Sequence, residues 1–444
     1  MEHETATYRT VGAAPIAARA AAVERPAHLL TLSADTTQDL MRLVEQSIRY
    51  LHDHPDISLP HFCFTTNTNR THRTQRLVLF AESTECLLAE LESFRRSGTC
   101  GHNSWLGQAA PDSAKVVFLF TGQGGQYVGM GQQLYAIHPV FRAALDRCQE
   151  ILYPYLKARL LDLIHPRQVE GGQFNETWIA QPALLALEYA LAQVWLSWGV
   201  RPDALIGHSL GEYTAACIAG ACTLEDALWL AAERGRLMQE LPPVGMMVAV
   251  HAAAQQIEHV LEDYRDRLSI AALNGPANSV VSGEREAVQE AVRRFRACGL
   301  STNALAVSHA FHSLLMEPIL EPFERIAASV SFQQTRIPLV STVTGQMIEP
   351  GSVLDAAYWR EHIRAPVRFA DGISTLAARG YTIFLEVGPQ PVLLSLAKRI
   401  VALDQKHAWL PSIKRGQDDW RVMLKSLAQL HLCDVTIDWR AVAL

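Results

Sequence analysis

Residues 204–213 read ALIGHSLGEY, and few stretches of ten residues restrict a fold so strongly. A short apolar run leads straight into Gly207-x-Ser209-x-Gly211, and a helical pattern follows. In that strand-to-helix setting the motif is a nucleophile elbow. Its glycines permit a sharp turn with close backbone approach, which lifts the Ser209 hydroxyl clear of the sheet. The N–H of Leu210, at the helix start, is placed to donate to an oxyanion. The bland reading is a tight turn that happens to hold a serine, and the flanking strand and helix argue against it. A strand that feeds an elbow belongs to an α/β sheet, and the rest of the chain agrees. VVFLF (116–120) is a continuous apolar run of the kind buried on both faces, and MMVAV, SIAAL, NSVVSG and YTIFLEVG follow, alternating with helical stretches.

Composition narrows the class further. The 444 residues are 49% hydrophobic and 19% charged, an ordinary globular balance with enough length for two or three domains. A formal charge of −6, without a long basic run, speaks against nucleic acid. Arg9 and Arg19 fall where a signal peptide would be apolar. The most apolar long segment, 182–200, is interrupted by Glu188 and Gln193 and suits a buried helix better than a membrane span. Eight scattered cysteines form no CxxC pair, so neither a zinc site nor a disulfide framework is indicated, and a reducing cytoplasm fits.

The chain divides by composition. Residues 1–27 are Ala-rich and read as a tether. Two strand-then-helix passages follow, HLLTLSA before an Asp35/Thr36 cap and RLVLFAES before TECLLAELESF, which together suggest a small α+β unit. The polar stretch 95–115 reads as a linker, and 245–307 as an inserted subdomain with its own strand–helix–strand passages. One helix and a strand-like VTIDW (435–439) close the chain.

Two further stretches carry chemistry. FTGQGGQYVGMG (120–131) follows the first buried strand. A dinucleotide fingerprint would need glycine where Tyr127 stands, so the loop is better suited to bringing a second N–H, from Gln123, to an oxyanion. VSHAFHS (307–313) holds two histidines three apart. A metal site would need a third ligand, with Glu317 the obvious one nearby, and a packed, inert pair is also possible from spacing alone. His208 adjoins Ser209, but neighbours on an elbow point apart, which makes it a poor base.

Taken together, these residues resemble the malonyl/acyl-CoA:acyl-carrier-protein acyltransferases, and specifically the acyltransferase domain of type I modular polyketide synthases. FLFTGQGGQYVGMG, TWIAQPALLALEYAL, GHSLGEY, ERGRLMQE, NGPANSVVSG, SHAFHS, YWREHIRAPVRF and FLEVGPQPVL occur in the family's order. The resemblance implies an α/β fold: an α/β-hydrolase-like large subdomain with a parallel sheet, a small inserted ferredoxin-like α+β subdomain, and an N-terminal α+β linker domain. It implies a ketosynthase-to-acyltransferase linker over 1–111, the acyltransferase over 112–404, and a post-acyltransferase linker over 405–444.

The same resemblance assigns roles. Ser209 is the nucleophile and His312 the base, with Gln123 and Leu210 as oxyanion donors. Arg234 clamps the free carboxylate of a malonyl group, a task for which a planar guanidinium is better suited than lysine. Gln181 and Asn274 line the acyl site, with core packing and a turn as their bland readings. His309, Ala310 and Phe311 belong to the selectivity motif, in the form associated with malonyl units. Bulky Phe311 leaves less room at the substrate α-carbon, though one methyl is worth only about 1–3 kcal/mol. His362 stands where the family often has Asn or Gln, and its backbone carbonyl is expected to orient the catalytic histidine. Malonyl-CoA is then the donor and a phosphopantetheinylated carrier protein the acceptor, with no tightly bound cofactor and no metal. The expected partners are that carrier protein, a ketosynthase and other synthase domains, with neither nucleic acid nor membrane. A serine hydrolase or editing thioesterase is the rival reading, because elbow and base suit water equally well.

Overall fold

The structure is a computed structural model that describes residues 25–69, 71–109, 114–166, 173–401 and 407–443. Its centre is a six-stranded sheet of β4 (Val116–Phe120), β5 (Ala204–Gly207), β10 (Leu339–Val340), β11 (Met347–Ile348), β12 (Ile383–Val387) and β13 (Ala408–Pro411). The strand order is β11-β10-β5-β4-β12-β13, parallel throughout except for the antiparallel edge strand β11. β4, β5 and β12 are buried at every position, as strands covered on both faces must be.

The helix Thr177–Ser197 is long and apolar enough to cross a membrane, yet most of it is enclosed within the fold. Glu188 and Gln181 are buried with it. A helix that is apolar all round is a core helix when other elements surround it.

A second sheet, β6 (Gly245–Val250), β7 (Leu268–Gly275), β8 (Asn278–Glu284) and β9 (Thr302–Ala304), lies inside the segment read as an insertion. It is antiparallel in the order β7-β8-β6-β9, with helices Ala254–Leu261 and Arg285–Ala297 as crossovers. That is the ferredoxin-like βαββαβ arrangement, with its own apolar core around Val248, Val281 and Phe295.

The N-terminal unit is a three-stranded antiparallel sheet of β1 (His28–Ala34), β2 (Gln75–Ala81) and β3 (Ser104–Gln108) with three helices on it. Thr36 caps the first helix by accepting from the Asp39 N–H, as its position suggests. β3 corrects the linker reading of 95–115. Its exposures alternate while its sequence, SWLGQ, is too polar and too short to announce a strand.

The C-terminal stretch also departs from expectation. β13 adds a sixth strand to the main sheet beside β12. VTIDW is not a strand: an irregular segment leads to a short helix, Trp439–Val442, capped by Asp438. The helix Asp419–Leu432 meets the N-terminal sheet, where Leu432 packs on Gly107 and Arg76 donates to the His431 carbonyl and to Asp434. The tether reading of residues 1–27 falls almost wholly outside the described residues.

Candidate active site

Ser209 sits between β5 and the helix Gly211–Ile218 with a φ of 51°, the left-handed region that serine rarely adopts. The two motif glycines have ordinary φ values and serve close approach instead. A Cβ on Gly207 would lie 2.1 Å from the Glu212 nitrogen, and one on Gly211 would lie 2.2 Å from the Phe120 oxygen. Gly122 in the neighbouring loop is also close, 2.7 Å from the His208 oxygen by the same measure. The strain therefore sits on Ser209, while the glycines clear the space that holds it there.

The Ser209 Oγ is 2.8 Å from His312 Nε2, and His312 Nδ1 is 2.9 Å from the Ala365 carbonyl oxygen. A carbonyl can only accept, so Nδ1 carries the proton and Nε2 is left to accept from the serine. Burial, then the Arg234 guanidinium, holds the His312 imidazole well below the usual histidine range, which keeps it neutral. His312 also has a positive φ, 56°. Ser313 secures that turn by donating to the Ala310 carbonyl at 2.6 Å and accepting from the Leu315 N–H.

The orienting carbonyl is a correction. It belongs to Ala365, three residues beyond His362. The helix Ala356–Arg364 ends at Ala365, and Pro366 follows, which forces the preceding residue into extended geometry (ψ 149°) and turns its carbonyl out of the helix. His362 is instead a buried side chain, its Nε2 3.5 Å from Glu212 Oε2. Although burial opposes it, the contacts from His362, Thr342 and Tyr358 hold Glu212 below the usual carboxylate range.

Arg234 comes from the helix Leu224–Gln239, capped by Thr223. Gly235, beside it, lets this helix press on the 177–197 helix: a Cβ there would lie 2.8 Å from the Thr177 oxygen. The guanidinium is 1% exposed, with Nη2 3.2 Å from Ser209 Oγ and its carbon 5.6 Å from the centre of the Tyr213 ring. Its Nε has no partner, and among the described residues no carboxylate pairs with it. Burial lowers its pKa, the expected strain on a cation without a counter-charge.

These groups face a cavity of about 300 Å3 between the two subdomains. Ser209, His312, Arg234, Gln123, Leu210, Gln181, Asn274 and Phe311 all line it, so eight of the ten residues singled out from sequence converge there. Met247, Ala271, Val280 and Leu305 form an apolar wall from the ferredoxin-like side. Among the described residues neither the Gln123 nor the Leu210 N–H has an acceptor within the protein. Asn274 Oδ1 is 2.8 Å from His208 Nε2, which turns that histidine away from Ser209.

His309 does not line this cavity. Its ring bonds the Leu241 carbonyl (3.0 Å) and the Ser308 hydroxyl (2.9 Å), and it borders a separate hollow with Pro242 and Leu314. It ties the histidine loop to the end of the arginine helix. No group of three or more metal-ligating side chains occurs among the described residues.

An elbow serine, a carbonyl-oriented histidine and a buried, unpaired arginine in an α/β fold with a ferredoxin-like insertion define an acyl-group-handling site. The chain belongs to the acyltransferase domain family of polyketide synthases. A family model described as "Acyl transferase domain" matches residues 117–437, and one described as "CurL-like, PKS C-terminal" matches residues 28–91. The chain is 35% identical over 432 residues to the PKS-NRPS hybrid synthetase ATPKS of Aspergillus niger, covering 92% of this chain and 23% of that protein. The acyltransferase domain from module 8 of the salinomycin polyketide synthase superposes with a TM-score of 0.85 at 30% identity, over 94% of this chain and 98% of that one. The acyltransferase domain of SpnD, solved with 2-(pent-4-yn-1-yl)malonyl, gives 0.81 at 32% identity, over 93% and 97%. The chain thus spans under a quarter of the curated synthetase and nearly all of the solved domains.

Proposed function

We propose that this acyltransferase loads malonyl units from malonyl-CoA and passes them to the phosphopantetheine thiol of an acyl carrier protein in polyketide biosynthesis. The observation that carries the substrate class is Arg234, a buried cation beside Ser209 with no carboxylate partner among the described residues. An acyl group bearing a free carboxylate completes it through paired, charge-assisted hydrogen bonds. The related SpnD domain held with a substituted malonyl supports the same class. Phe311 lines the cavity, and its bulky ring beside an acyl α-carbon favours malonyl over methylmalonyl by a modest factor. His309 supports that loop from behind.

His312 accepts the Ser209 proton as the hydroxyl attacks the thioester carbon. The tetrahedral oxyanion forms against the Gln123 and Leu210 N–H groups and collapses as the CoA thiolate leaves with the proton from His312. The carrier protein's thiol then gives its proton to His312, attacks malonyl-Ser209 and regenerates the serine. The chemistry uses no metal and no bound cofactor. Its setting is the cytoplasm, within a synthase that also holds a ketosynthase, and the eight unpaired cysteines suit a reducing compartment.

The test is the fate of labelled malonyl-Ser209 on mixing with phosphopantetheinylated carrier protein. Label appearing on the carrier thiol faster than as free malonate supports transfer. Label lost to water at a rate the carrier does not change makes the protein a hydrolase.

A further inference from the structure

The 177–197 helix is apolar on nearly every face, yet it presents a polar row of Thr177, Gln181 and Glu188, four and seven residues apart. Each of these side chains grips the loop that follows β4. Gln123 Nε2 donates to Thr177 Oγ1 at 3.4 Å, Gln181 Nε2 donates to Gln123 Oε1 at 3.3 Å, and Thr121 Oγ1 donates to Glu188 Oε1 at 2.5 Å. Thr177 also meets Ser308 and Gln181 also meets Met238, but Glu188 alone of the three reaches the helix behind Leu210. Its other oxygen lies 2.7 Å from Thr214 Oγ1, and Thr214 lies one turn inside the helix that begins behind Leu210.

One fully buried carboxyl therefore clasps both backbone segments that carry the proposed oxyanion donors. Thr121 is two residues before Gln123, and Thr214 is four after Leu210. Thr121 is also pressed from its other side, where a Cβ on Gly388 would lie 2.6 Å from its hydroxyl oxygen. Glu188 is 0% exposed and does not line the cavity, so it has no route to substrate. Burying a carboxyl costs stability that an apolar residue at this helix position would not cost, and the two threonine bonds are what the position gains.

Resting on the reading of Gln123 and Leu210 as the oxyanion donors, we infer that Glu188 is a positioning residue that sets the spacing of those two N–H groups. It acts on the transition state through Thr121 and Thr214. Burial raises its pKa to about 8, so at neutral pH it is a neutral acid whose carbonyl oxygen accepts from Thr121 and whose O–H donates to the Thr214 hydroxyl oxygen, a pattern that glutamine reproduces. The titratable neighbour across the core is Glu386 on β12, itself raised to about 8 by burial and capped by the Leu393 and Leu394 N–H groups.

The experiment compares Glu188→Gln, Glu188→Leu and Thr121→Val with the parent chain at pH 7. One arm follows acylation by malonyl-CoA, and the other follows inactivation by a fluorophosphonate, which needs the same oxyanion site but no acyl pocket. Glu188→Leu and Thr121→Val are expected to lower the maximal rate in both arms about tenfold or more, the scale of a donor displaced by a fraction of an ångström. KM and the fluorophosphonate saturation constant should hold within about twofold, and Glu188→Gln should stay within about threefold of the parent in rate. Thr121→Val keeps the measurement decisive if Glu188→Leu does not fold. Parent rates in both Thr121→Val and any folded Glu188→Leu, or losses confined to KM, overturn the inference. A parent chain labelled at Ser209 by fluorophosphonate but by no acyl-CoA would instead overturn the substrate reading, and the fluorophosphonate arm would still decide the role of Glu188.

Discussion

Four non-glycine residues among the described ones take left-handed backbone, and the two that face each other across the site, Ser209 and His312, are held there by different means. At the elbow, Gly207 clears the approach of β5 to the following helix, and Gly211 clears the approach of that helix to the end of β4. At the histidine loop the restraint is made of side-chain bonds: Ser313 to Ala310, His309 to Leu241, and Nδ1 of His312 itself to Ala365. A turn enforced by sterics tolerates no added atom, whereas a turn enforced by hydrogen bonds loosens by degrees. Ser209 is thus locked and His312 is tethered.

That contrast can be broken at either end. Gly211→Ala should have the largest effect, because its methyl would lie 2.2 Å from a backbone oxygen that cannot yield. We expect a stability loss of about 3 kcal/mol or more and no detectable acyl-enzyme, read by thermal melting and intact mass. Gly245→Ala sharpens the comparison on the other side: a Cβ there meets Ala310 Cβ at 2.4 Å, displacing the histidine loop while leaving the elbow alone. Acylation should slow about a hundredfold, the cost of about 1 Å of misplacement, with Ser209 still reactive toward small phosphonates.

Ser313→Ala removes two bonds of the tether. It should cost about 1–2 kcal/mol in stability and about tenfold in acylation rate, measured by urea unfolding and stopped-flow loading. The smallest effect is on pH. Burial raises Glu188 and Glu386 to about 8 and Asp419 to about 7. The folded chain keeps protons there that the unfolded chain has released, so this contribution to stability declines as pH rises from about 5 to 8. Burial lowers His28 to about 3 and His138 to about 4, and it also lowers His72, His165, His208, His312 and His431; these seven outnumber the three carboxyls, so stability is lost as pH falls below the ordinary histidine value of 6.5. Thermal midpoints should peak near pH 6.5 and fall toward 8, less steeply in Glu188→Gln. A midpoint still rising at pH 8 would refute those assignments.

The elbow was legible because glycine spacing is written in sequence, and so were the buried strands, whose apolar runs have no other use. Arg234, His312 and Phe311 were found only through resemblance, since one arginine in a helix carries no pattern of its own. The Ala365 carbonyl had a signal in the proline that follows it, though side-chain reasoning directs attention to His362. His309 was read as a pocket residue because it sits in the motif, yet two residues along a tight loop reverse the facing. β3 and β13 were missed for a common reason: short strands at sheet edges draw their stability from neighbours more than from their own pattern. Glu188 was visible only as an interruption in an apolar helix, and its meaning lay in Thr121 and Thr214, 67 and 26 residues away.

The central claim is that Ser209, with His312 behind it and Arg234 beside it, takes up acyl groups that carry a carboxylate. Intact-mass and peptide measurement after exposure to an equal mixture of malonyl-, methylmalonyl- and acetyl-CoA tests it most directly. One malonyl group on Ser209, none in Ser209→Ala, and a shift toward acetyl in Arg234→Ala are expected. Equal loading of acetyl and malonyl by the parent chain, or a label on another residue, would contradict it.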